Sequence, residues 1–174
     1  MKSICLLLGM FAFSCLTFSQ LQLKAPLKAI INDAVNEFET YKGRLKAAQD
    51  EDSTYFSTVV IDGSKDNEIE LIADRMIQYH AYVADSASKK GAKNLVERWK
   101  EKIQAAVPDF KMTTIDFSTG KRKTNGYRFS KLSKTPCSIS IVYSKREIDD
   151  YYWVLLAITK QGKEALSTEG SNQE

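Results

Sequence analysis

The sequence predicts an α+β domain: an antiparallel sheet with two amphipathic helices packed on one face. Three observations point there. Apolar residues recur at helical spacing in two separate stretches. Residues 137–159 form the densest apolar stretch after the N-terminus, alternating with period two over 137–143 and apolar on both faces over 151–159. The order of elements is similar in residues 24–85 and 86–160, which suggests a tandem repeat of helix plus about four strands.

Residues 1–19 are read apart from the fold. Lys2 precedes an apolar run from Ile4 to Phe18, with small residues Thr17 and Ser19 behind it. The run falls short of the roughly 20 residues that span a bilayer. This is the pattern of a secretory signal peptide, cut between Ser19 and Gln20, which places the protein in the periplasm or outside the cell. A cut before Cys15 would instead give a lipid anchor, but Phe13 suits that site poorly. Residues 20–160 then make one domain, and the polar stretch 161–174 reads as a disordered tail.

The first helix opens at Pro26, where a fixed φ is tolerated. Its stripe runs through Leu27, Ile30, Ile31, Ala34, Val35, Phe38, Tyr41 and Leu45, with Gly43 marking its end. A strand follows at Tyr55 to Ile61, closed by Asp62-Gly63. Residues 68–84 fit either period. Matching them to 138–157 makes them two strands, 68–74 and 76–84. Ser86 or Ser88 caps a second helix with Leu95, Val96, Trp99, Ile103 and Val107 on one side, and Pro108 stops it. Strands are expected at Phe110 to Phe117 and Tyr127 to Leu132, with Asn125-Gly126 as a turn signal between them. Cys137, Ile139, Ile141 and Tyr143 share one face of the next strand. Tyr151 to Thr159 is apolar on both faces, so the pair reads as an antiparallel hairpin near the middle of the sheet.

The chemistry on offer is sparse. Without the leader, His80 and Cys137 are the single histidine and cysteine. Cys137 shares its face with Ile139 and Ile141, which makes it a core residue rather than a nucleophile. One histidine and one cysteine build no metal site, and no cofactor motif is present. The acidic turns at Asp50, Glu51, Asp52 and at Glu147, Asp149, Asp150 lie where carboxylates are normally solvated. A hydrolase using carboxylates that the sequence does not assemble is one alternative. The strongest local signal is a basic loop, residues 120–134. There Lys121, Arg122, Lys123 and Arg128 interleave with Tyr127 and offer a site for an anionic glycan or lipid head group. Export argues against nucleic acid, as does a formal net charge of only +3. The expectation is an exported, non-catalytic binding or interaction module, with an unidentified protein as partner and polyanion binding as the alternative.

Overall fold

The computed structural model describes residues 23–72, 76–119, 122–131 and 137–160. The leader, the Cys15 alternative, the C-terminal tail, Lys121 and Lys134 lie outside them. Among the described residues there are two α-helices and one eight-stranded antiparallel sheet. α1 covers 23–33. The strands of the first half are β1 (Lys42–Gln49), β2 (Asp52–Ser57), β3 (Asp66–Ile72) and β4 (Met76–Ala87). α2 (Lys89–Ala106) follows, then β5 (Lys111–Thr119), β6 (Arg122–Ser130), β7 (Cys137–Lys145) and β8 (Tyr152–Lys160). The strand order is β1-β2-β3-β4-β8-β7-β6-β5, two four-stranded meanders joined by the β4–β8 pair.

Three sequence expectations need correction. The first helix does not reach Gly43. It ends at residue 33, because Glu37 and Phe38 take left-handed backbone angles, φ 60° and 57°. Asp33 holds the bend by accepting from Thr40 N at 3.1 Å and Thr40 Oγ1 at 2.6 Å. The bend drives Phe38 fully into the core, and the chain leaves it as β1. Leu45 therefore sits on an edge strand and is exposed. The second strand ends at Ser57 rather than Ile61. Ile61 is nonetheless buried, and its N–H is held by Asn67 Oδ1 at 3.1 Å.

The third correction concerns the basic segment, which is largely strand. Asn125-Gly126 lies inside β6, paired with Tyr143 and Val142 of β7. Glycine is required there for proximity, not for a turn: a Cβ would stand 2.0 Å from the Ile141 carbonyl oxygen.

Other elements match the sequence reading. Ser88 caps α2, its side chain accepting from Gly91 N at 3.1 Å. The pairs β7–β8 and β4–β8 put the 137–159 hairpin in the sheet interior. One rung across five strands shows how the core is laid: Ile69, Tyr79, Ile158, Ile139 and Phe129 pair in turn, and all are fully buried. Residues paired across an antiparallel ladder share a face. α2 lies against this face, with Ala92, Val96, Trp99 and Ile103 in the same apolar cluster. Leu23, Leu27, Ile30 and Ile31 of α1 belong to that cluster as well. Neither helix is long and apolar enough to cross a membrane.

Candidate functional site

Strand alternation sends every second residue of the sheet to the face away from α2. The rungs there are chemically different. Asp66, Tyr82, Leu155, Val142 and Gly126 form one, and Glu68, His80, Ala157, Ser140 and Arg128 the next. Long polar and aromatic side chains on this outer face enclose two depressions.

The larger depression has a volume of about 460 Å³ and is lined by Tyr82, Asp85, Arg122, Arg146, Trp153 and Leu155. A second, of about 290 Å³, shares Tyr82 and Asp85 and continues to Lys46, Lys65, Asp66 and Glu68. The β5–β6 and β7–β8 hairpins meet at this end of the sheet, where Arg122 Nη2 lies 2.8 Å from Glu147 Oε1. Arg146 is drawn inward. Its Nη1 donates to the Asp85 carbonyl at 2.8 Å, and its Nε lies 3.5 Å from Asp149. Asp85 in turn holds Lys65 at 2.5 Å, and hydrogen bonding to that ammonium lowers its carboxyl pKa. In the second depression Lys46 bridges Asp66 at 2.5 Å and Glu68 at 2.8 Å, and those two hydrogen bonds raise its pKa. Burial and a hydrogen bond with Glu68 push the Tyr82 hydroxyl up.

His80 lies beside this second depression. Its Nε2 is 2.7 Å from Gln78 Oε1. Its Nδ1 lies 3.3 Å from Glu70 Oε2 but off any hydrogen-bonding direction, so it has no hydrogen-bond partner among the described residues. Burial dominates over the attraction of Glu68, and the imidazole pKa falls to about 4. Burial also raises Glu70, with Glu68 adding to the effect.

The basic residues read from the sequence are divided. Arg122 reaches the larger depression. Lys123 pairs with Asp116 at 3.3 Å. Arg128 is exposed on the outer face. Tyr127 points the other way: it donates to Glu97 of α2 at 2.7 Å and lies under Lys100. Cys137 is buried on the α2 face, opposite to the face that carries His80, so the two form no pair. Burial lifts its thiol to about 11.

The residues that the sequence reading passed over are Tyr82, Asp85, Arg146 and Trp153. The alternation of Trp153 and Leu155 against Val154 and Leu156 was legible. That Tyr82 would stand beside them depended on the β4–β8 register. Among the described residues no three His, Cys, Asp or Glu side chains converge for a metal ion. No protein-family model, curated protein or solved structure matches the chain.

Proposed function

We propose that this chain is an exported, non-catalytic binding module and that it recognises an anionic ligand on the outer face of its sheet. The carrying observation is the 460 Å³ depression, where two guanidiniums, Arg122 and Arg146, stand beside the aromatic rings of Tyr82 and Trp153. Concave surfaces that combine aromatics with a few convergent polar groups are the usual form of small-ligand sites. The ligand class is a glycan or lipid head group bearing acid groups. Arg122 comes from the basic segment 120–134, and Arg146 from the neighbouring hairpin joins it.

On this reading residues 24–85 and 86–160 are tandem copies of one unit, and both helices cover the same face. The mirrored strand order supports it, as does the apolar cluster that takes in residues of both helices. That arrangement leaves the outer face free for a ligand. Residues 1–19 direct export and are removed; intact mass of the periplasmic or secreted protein should lack them, and a cytoplasmic full-length product overturns that point.

Retention on heparin and on anionic lipid vesicles at low salt tests the function. Wild type should be retained and released by salt, since exposed charge pairing is screened. Arg122→Ala combined with Arg146→Ala should lose retention. Loss of the exposed Arg122 should change stability by less than about 0.5 kcal/mol, and loss of Arg146, which holds the Asp85 carbonyl, should cost about 1–2 kcal/mol without unfolding the chain. A wild type retained on neither matrix removes the anionic-ligand reading.

A further inference from the structure

The class of ligand can be narrowed, on the premise that the outer face is the binding surface. Tyr82 pairs with Leu155 across β4 and β8, and Trp153 is two residues from Leu155 on the same face. Both rings are only half buried. Both line the larger depression, and an aromatic face with a polar edge is a surface on which the C–H face of a sugar ring packs.

The guanidiniums stand at the rim of that shelf. Each carries five N–H donors in a planar fork that matches a carboxylate. Arg122 commits one nitrogen to Glu147, whose side chain is 73% exposed. Such a surface pair is weak and yields readily to an incoming acid. Arg146 is better anchored: Nη1 donates to the Asp85 carbonyl and Nε lies 3.5 Å from Asp149, which fixes the guanidinium where it lines the depression and leaves Nη2 for a ligand.

Past Tyr82, the second depression presents Asp66, Glu68 and Asp85. Each already accepts from a lysine. A carboxylate has lone pairs for further donors, and hydroxyl groups are the donors that add no charge. A bare phosphate would leave the aromatic shelf unused, and a neutral sugar would leave the guanidiniums unused.

We infer that the outer face binds an acidic sugar. A uronate ring stacks on Trp153 with its carboxylate on Arg122 and Arg146, and its hydroxyl-bearing continuation passes Tyr82 towards Asp85, Asp66 and Glu68.

The test is calorimetry on the full chain after export, with a galactose trisaccharide ending in one galacturonate, the uncharged trigalactose of the same linkage, inorganic phosphate and anionic vesicles as probes. Tryptophan emission is followed in parallel, because Trp153 is partly exposed while Trp99 is buried. The galacturonate-ended trisaccharide should bind about tenfold or more tighter than trigalactose, the scale of one charge-assisted bidentate contact. It should also shift the tryptophan emission. Arg146→Lys should lose most of that preference, and Trp153→Ala should weaken both sugars, in variants whose circular dichroism and melting match wild type. Equal binding of the two sugars overturns the acidic-sugar inference and leaves the binding surface standing. So does a response to phosphate or vesicles alone. Absence of binding by all four probes overturns both.

Discussion

His80 is the single histidine of the chain, and its ring stands where a positive charge is poorly solvated. Glu68 and Glu70 of β3 face it, with Gln78 and Tyr82 on its own strand. The Glu68 carboxylate favours imidazolium, yet burial outweighs it and the folded pKa lies near 4 against 6.5 for an exposed imidazole. Well above pH 6.5 the ring is neutral in both states. As pH falls towards 4, the unfolded chain binds a proton that the folded chain refuses, so stability falls through that window and levels off below it. The loss amounts to about 3 kcal/mol at most, at 1.36 kcal/mol per pKa unit. Glu70 works in the opposite sense: its raised pKa lets the fold take up a proton earlier, which favours the fold as pH drops. Comparing urea unfolding of wild type and His80→Gln from pH 4 to 6.5 isolates the histidine. The variant should show a flatter slope there, and an unchanged slope would remove His80 as the cause. Cys137 is the contrasting residue. Its thiol is buried and raised to about 11, so it should label only when denaturant opens the core.

At the scale of elements, two features can be probed singly. β6 and β7 approach so closely at Gly126 that a Cβ would lie 2.0 Å from the Ile141 carbonyl oxygen and 2.8 Å from Val142 Cα. Backbone cannot yield as a flexible side chain does. Gly126→Ala should cost about 2–3 kcal/mol in chemical denaturation, the upper part of the roughly 1–3 kcal/mol range for overpacking. A neutral result would mean that the strands separate there without penalty. α2 depends on Ser88, whose hydroxyl accepts from Gly91 N. Ser88→Ala leaves that donor unpaired and should cost about 1 kcal/mol by the same measurement. The first helix behaves differently. Its stripe continues past residue 33, but Asp33 gains three hydrogen-bond partners, Asn36 Nδ2 and two atoms of Thr40, by folding the chain back. Local periodicity carries no information about that competition.

For the whole molecule, the decisive contact is the β4–β8 ladder. It joins residues 24–85 to 86–160 and lets Tyr79 stand beside Ile158 in a single apolar cluster. Either half alone would expose part of that cluster and an unpaired interior strand. Each half expressed separately should therefore give the circular dichroism of an unfolded chain. The intact chain should unfold in one transition, with tryptophan emission and circular dichroism coincident. A folded half would show instead that β4–β8 is a docking contact between two independent units.

Local pattern alone determined much of this protein. Ser88 and Pro108 bracket α2, the phase of Cys137, Ile139 and Ile141 names the buried face of β7, and the doubly apolar 151–159 run marks an interior strand. These are signals between near neighbours in the chain, where side-chain period and backbone restriction act directly. Only the tertiary structure decided that Gly126 lies within a strand, that Tyr127 turns towards α2 while Arg122 does not, and that Tyr82, Arg122, Arg146 and Trp153 share one depression. The reason is physical: strand register is settled by contacts between distant segments, and a shift of one residue would send each of those side chains to the other face of the sheet.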